Sequence, residues 1–244
     1  MMIIEVSSLS DIGKVRDDNE DCLIISDSSH LYALTDGMGG LAYGKVAAEI
    51  VRDQMLTYFQ LMKENNVVIT CEVLEKVIKK ISEHIQKMGN VFGGCTLYGA
   101  TLTGLVIDDE KGFLMNVGDS RVYRYNHEGL VQLTKDQNLL THLIETGKVT
   151  EEQRNSNHIR NVVLEYMGKA PFVKPNISEI DIKDEDVFCV CSDGLFDTVE
   201  EKGIEDILMT PLSLEEKCNK LVKCANDAGG KDNISVILVK IRKE

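Results

Sequence analysis

The stretch LYALTDGMGGLAYGKVAAEI, residues Leu31 to Ile50, carries the reading that decides the fold. With His30 before it, the apolar and aromatic run up to Thr35 has the length and composition of a buried strand. It ends on a carboxylate, Asp36, set against a glycine cluster. Beyond Gly44, apolar residues recur at Ala47, Val51, Met55, Tyr58 and Met62, steps of three and four that predict a helix with one apolar face. A second stripe through Leu74, Val77, Ile78, Ile81, Ile85 and Met88 predicts another helix, with a C-cap expected at Gly89-Asn90. The first part of the chain therefore reads as strand, loop, helix, helix.

Further along, GATLTGLVID, KGFLMNVGDSRVYRYN and GLVQLT read as consecutive strands joined by short turns, and predict an antiparallel meander. The polar stretch from Lys135 to about Asn161 holds helical fragments and the loop-like RNSNHIRN, the pattern of a flap. A strand DVFCVCSDG, an amphipathic helix around SLEEKCNKLVKCANDAGG and a strand NISVILVKI follow. Strands dominate the middle and end with helices grouped outside them, which predicts α+β layering.

The 244 residues include 43% hydrophobic residues and only three prolines, with no linker-like tract, so one domain spanning residues 1–244 is expected. The net charge of −13 opposes nonspecific binding to nucleic acid or anionic membrane, and it suits a site that gathers cations. The first 22 residues lack both a signal-peptide pattern and a run able to span a bilayer. Seven cysteines without CxxC pairs favour reduced thiols, and together these features predict a cytoplasmic protein.

Carboxylates beside glycine recur where apolar runs end: Asp36 in YALTDG, Asp193 in VFCVCSDG and Asp119 in MNVGDSRVY, while Asp232 precedes NISVILV. Such oxygens are natural ligands for hard cations, and glycine lets a backbone carbonyl or a water come close. Each dipeptide alone is equally the mark of a plain turn. RDDNED, Arg16 to Asp21, reads alone as a solvated acidic loop; a calcium loop starting at Asp17 fails because Cys22 stands where the EF-hand needs glycine. Cys189 and Cys191 share one face of a strand and read as core. The histidines show no HExxH spacing.

Taken in order, GKVRDDNED (13–21), DGMGG (36–40), GATL (99–102), NVGDSRVY (116–123), SDGLFD (192–197) and GGKDNISV (229–236) closely resemble the metal-dependent protein phosphatase family, type 2C. The resemblance runs from about Ser8 to Ile241, and Met38 and the short length resemble the bacterial branch. It implies a sandwich of two antiparallel sheets flanked by helices, α-β-β-α, with metals in the cleft between the sheets. It further implies two Mn²⁺ or Mg²⁺ ions and a third, weaker site. Asp36 would bridge the two ions, the Gly37 carbonyl would bind the second, and Asp193 and Asp232 would complete the first. Asp119 would help to hold the third with Asp193, Arg16 would grip the substrate phosphate, and Glu20 and Asp21 would stand near metal-bound waters. A hydroxide bridging two cations about 3.5 to 4 Å apart would be the nucleophile.

The implied activity is hydrolysis of phosphoserine and phosphothreonine in proteins, opposing a bacterial Ser/Thr kinase, by a monomer with no nucleic-acid or membrane partner. The competing expectation is a catalytically weak phosphoprotein-binding regulator of the same fold. Departures from the family pattern are Met38 in place of a histidine, Ala100 in place of a threonine, Gln137-Asn138 in place of His-Ser, and Glu165-Tyr166 in place of Thr-Arg. These place the expected novelty in the flap-like segment 135–168, which would overhang the cleft, and spare the expected metal ligands.

Overall fold

The computed structural model describes residues 2–39, 43–91, 98–150 and 162–243. The opening stretch forms strand β3 (Leu31–Met38) and helix α1 (Tyr43–Glu64), and the second stripe forms α2 (Cys71–Val91). Helix α2 runs past the expected cap at Gly89-Asn90 and ends within two residues of it. The α1 face buries Ala47, Val51, Met55, Phe59 and Met62, with Tyr58 only partly covered.

Two antiparallel sheets make the body. One has the order β1 (Met2–Asp11), β11 (Ile234–Lys243), β10 (Val187–Cys191), β7 (Arg121–Asn126), β8 (Gly129–Gln132). The other runs β2 (Asp21–Ser26), β3, β5 (Leu102–Asp108), β6 (Lys111–Val117), β9 (Asn176–Asp181), with the short β4 (Gly99–Ala100) on the far end of β3. Strands β1 and β11 pair over ten residues, from Met2 opposite Lys243 to Asp11 opposite Ile234.

Period-two alternation explains the near-continuous apolar runs, because both faces of each sheet are covered. Tyr32 and Leu34 of β3 meet Phe188 and Val190 of β10 and Ile237 and Val239 of β11 in the core between the sheets. Leu31 and Ala33 turn the other way, onto α1 and α2. Cys189, Cys191, Val236 and Leu238 turn outward from the first sheet onto α5 (Glu201–Leu208) and α6 (Leu214–Asp227). The expected α-β-β-α sandwich is therefore present, and Cys189 and Cys191 are fully buried core thiols. No helix of the described residues is long and apolar enough to cross a membrane.

The expected meander needs correction. KGFLMNVGDSRVYRYN is two strands, and they belong to different sheets: β6 pairs with β5 and β9, whereas β7 pairs with β10 and β8. The break lies at Gly118, whose φ of +111° suits glycine alone, and the chain crosses there from one sheet to the other. This crossing is what places Asp119 at the mouth between the sheets.

In the flap-like segment, Asn138 caps helix α3 (Leu139–Glu145) by accepting from the Thr141 amide at 2.9 Å. The stretch RNSNHIRN lies outside the described residues.

Candidate metal centre

Five carboxylates reach one cleft from different parts of the chain. Asp21 and Asp36 are direct partners in the β2–β3 register. Thr101 holds Asp36 from both sides: its amide donates to the Asp36 carbonyl at 2.8 Å, and its Oγ1 accepts from the Asp36 amide at 2.9 Å. Beside it, the Gly37 amide donates to the Glu20 carbonyl, and a Cβ on Gly37 would meet the carbonyl of Gly44 at 2.4 Å. Only glycine permits that approach between β3 and the start of α1.

From the other sheet, Asp193 opens the one-turn helix α4 (Asp193–Phe196) after β10, and Asp232 lies two residues before β11. Here the backbones nearly touch, since a Cβ on Gly194 would lie 2.0 Å from the Asn233 carbonyl oxygen. Asn233 is the hub of this end. Its Oδ1 accepts from the Glu20 amide, its Nδ2 donates to the carbonyls of Ile12 and Asp18, and its amide donates to Asp232 Oδ1. Asp119 sits on the sheet-to-sheet crossing, which is braced by Gln137: Oε1 accepts from the Gly118 amide and Nε2 donates to the Lys174 carbonyl.

A cleft of about 430 Å³ results, with Arg16, Glu20, Asp36, Gly37, Asp119, Asp193 and Asp232 on its walls. Asp21 is buried behind this wall, 7% exposed. Burial, reinforced by Asp21, Asp193, Asp119 and Asp232, pushes the Asp36 carboxyl well above the usual range. Asp193 is raised likewise by burial and then by Asp119 and Asp232. Burial lifts Asp21 to about 6 and, with Asp136 beside it, Asp119 to about 7. Arg16 is the cation on the wall, its Nη2 donating to Asp232 Oδ2 at 2.7 Å.

Carboxylates packed this closely need positive charge to stay ionised. Two of their oxygens, Asp21 Oδ1 and Asp193 Oδ1, are buried with no hydrogen-bond partner. Among the described residues, no group of three or more Asp, Glu, His or Cys side chains is by itself arranged to hold a metal ion. The unpartnered oxygens of Asp21 and Asp193 are the feature that fits Mg²⁺ or a similar hard ion, which keeps several waters and takes only one or two carboxylates from the protein. The residues present fit divalent cations held in an open, hydrated site.

The protein phosphatase 2C profile matches residues 8–238. The chain belongs to this family. The serine/threonine phosphatase stp of Listeria welshimeri is 31% identical over 237 residues, covering 94% of this chain and 93% of the relative. The crystal structure of the Mycobacterium tuberculosis serine/threonine phosphatase PstP/Ppp superposes with a TM-score of 0.89 at 28% identity, covering 98% of this chain and 99% of that one. A PstP catalytic domain solved in complex with two manganese ions has a TM-score of 0.86 at 26% identity, with both chains fully covered.

Of the site residues expected from the sequence, Arg16, Glu20, Asp36, Gly37, Asp119, Asp193 and Asp232 line this cleft, and Asp21 is buried beside Asp36. The departures from the family pattern have structural roles of their own. Gln137 braces the Asp119 turn. Glu165 accepts from Lys169 Nζ at 2.6 Å and from the Lys174 amide at 3.0 Å, which ties down the chain that follows the flap-like segment. Ala100 is fully buried against Gly37, and the neighbouring Thr101 makes the hydroxyl contacts. Sequence reasoning missed Thr101, Ser192 and Asn233. Their only signal is position inside GATL, SDG and KDN, where a short polar residue looks like ordinary turn chemistry.

Proposed function

We propose that the chain is a Mg²⁺- or Mn²⁺-dependent protein serine/threonine phosphatase. The observation that carries this reading is the convergence of Asp36, Asp193, Asp232 and Asp119 from both sheets, with a buried carboxylate oxygen left unpartnered. Residues 1–244 act as one catalytic domain, with segment 135–168 as its flap.

When bound, a pair of divalent cations supplies an acidified water near neutral pH and neutralises charge on the phosphoryl group. Asp36 would hold both ions, the Gly37 carbonyl would serve the second, and Asp193 and Asp232 would serve the first. Asp119 with Asp193 would hold a third. Arg16 turns its planar fork from Asp232 towards the phosphoryl oxygens, which lysine could not pair two at a time. Glu20 and Asp21 orient water around the ions. Met38 lines the cleft with no proton to give, so the departing Ser or Thr oxygen takes its proton from solvent.

The substrates are phosphoproteins, among them a Ser/Thr kinase of the same cell and its targets, met in the cytoplasm by a monomer. The regulator reading is not favoured, because none of the metal aspartates has been lost. The test is hydrolysis of a phosphothreonine peptide with Mn²⁺, with EDTA and the Asp36→Asn and Asp193→Asn variants as controls. Turnover that needs metal and disappears in both variants is expected; metal binding without turnover in the intact chain would refute the reading.

A further inference from the structure

Arg16 is half exposed, and its guanidinium bonds Asp232 Oδ2 through Nη2 at 2.7 Å. That bond is given up once Asp232 serves an ion and Arg16 turns to a phosphoryl group. Its reach and aim must then come from the backbone that carries it, because a long side chain on a loose loop loses much of its binding energy to ordering.

That backbone is laid against the turn between α6 and β11. Asp11, the last residue of β1, uses one oxygen twice: Oδ1 accepts from the Gly13 amide at 2.8 Å and from Asn226 Nδ2 at 3.0 Å. The Lys14 amide donates to the Gly230 carbonyl at 2.7 Å. Gly13, at a φ of +80°, lies so close that a Cβ there would overlap the Asp232 carbonyl. The loop leading to Arg16 is thereby fastened to the same turn that carries Asp232.

An independent observation singles out Asn226. It sits in the last turn of α6, and its Oδ1 is buried with no hydrogen-bond partner. An unpaired buried acceptor costs stability, and alanine is the better helix former at such a place. An asparagine there breaks the local rule, and its other atom gives the reason: Nδ2 holds Asp11, and through Asp11 the Gly13 turn.

We propose that Asp11 and Asn226 are positioning residues for Arg16, fixing the loop that presents its guanidinium to the substrate phosphate. The inference rests on the phosphatase reading and on Arg16 as the phosphate ligand. Neither Asp11 nor Asn226 lines the metal cleft, so their effect on the reaction passes through Arg16.

The test measures the Kd of inorganic phosphate by calorimetry with Mn²⁺ present, the Kd of Mn²⁺ itself, and kcat and KM on an aryl phosphate. Asn226→Ala should weaken phosphate binding by about threefold to tenfold and raise KM in step, with kcat and the Mn²⁺ Kd within about twofold of the intact chain. Its Tm should stay within a few degrees, since an unpaired buried oxygen is removed with the bond. Asp11→Ala should weaken phosphate binding at least as much. Asp11→Asn, which keeps Oδ1 as an acceptor for both donors, should recover most of the loss. Arg16→Ala should weaken phosphate binding by about tenfold or more, and adding Asn226→Ala to it should change the Kd by less than about twofold.

Phosphate affinity unchanged in both Asn226→Ala and Asp11→Ala would overturn the positioning role. So would an equal loss of Mn²⁺ affinity, or an Asn226→Ala effect of the same size in the absence of Arg16. Full phosphate affinity in Arg16→Ala would sink Arg16 as the phosphate ligand and the positioning role with it. Absence of turnover with Mn²⁺ and phosphate bound would instead sink the phosphatase reading, and the calorimetric ratios would still decide the role of Asp11 and Asn226.

Discussion

The Ser192 hydroxyl donates to Asp21 Oδ2 at 2.8 Å, joining the end of β10 in one sheet to the start of β2 in the other. Ser192 is fully buried, and the same oxygen accepts from the Ser235 amide at 3.0 Å. Ser192→Ala removes one bond to a carboxylate and strands a buried amide. The expected cost is roughly 1–3 kcal/mol, read from urea unfolding. Ser192→Thr, which retains a hydroxyl, should recover part of it.

The raised carboxyls of Asp21, Asp36, Asp119 and Asp193 give a definite sign to pH dependence. A carboxyl whose folded value lies above its unfolded value holds its proton longer in the native state. Stability therefore falls as pH rises from about 4 towards 7, by on the order of a kcal/mol per unit for each group at most. Without metal, Tm should drop between pH 5 and pH 8. Added Mn²⁺ should restore it most at pH 8, where the ligands are ionised. A metal-free Tm that climbs over this interval would contradict the account.

Gly194→Ala should be among the most damaging single methyl additions in the chain. The new carbon would sit 2.0 Å from the Asn233 carbonyl oxygen, so the backbones carrying Asp193 and Asp232 must separate. A loss of about 1–3 kcal/mol is expected, together with weakened metal binding by calorimetry. Gly203→Ala, where the nearest contact is a Val199 methyl at 3.1 Å, is the mild control.

Arg16→Lys separates charge from shape. The Arg16–Asp232 pair is half exposed, so stability should change by less than about 1 kcal/mol. Loss of the fork should nevertheless lower kcat/KM on a phosphopeptide by about tenfold or more. Unaltered kinetics would remove Arg16 from phosphate binding.

Gln137→Leu keeps the bulk and deletes both side-chain contacts, one with the Gly118 amide and one with the Lys174 carbonyl, while the Gln137 amide still donates to the Gly118 carbonyl. If that turn aims Asp119 at a third ion, half-maximal activity should require several-fold more Mn²⁺, while Tm shifts by only a few degrees, consistent with roughly 1 kcal/mol. An unchanged metal titration would confine Gln137 to a structural brace.

The strands were legible wherever both faces of a run were apolar, as at Leu31–Thr35 and Val187–Cys191, and α1 and α2 where spacing kept to one face. The segment Lys111–Asn126 misled because strand propensity continues across Gly118, while membership of a sheet depends on long-range pairing that no local pattern encodes. The acidic residues of the site could be picked out because an ionisable group at the end of a buried run is conspicuous. Asn233, Ser192 and Thr101 could not, since the partners that make them important lie 43 to 221 residues away.

The in-register pairing of β1 with β11 has a consequence for biosynthesis. Arg16 and Glu20 emerge from the ribosome early, but Asp232 and Asn233, which anchor them, emerge more than two hundred residues later. The first sheet cannot close until Ile234–Lys243 has been made, so a nascent chain lacking that strand carries an exposed β10 edge and no assembled centre. On the proposed reading, catalytic competence arrives as a single late event, once Asp232 and the strand that follows it have been added.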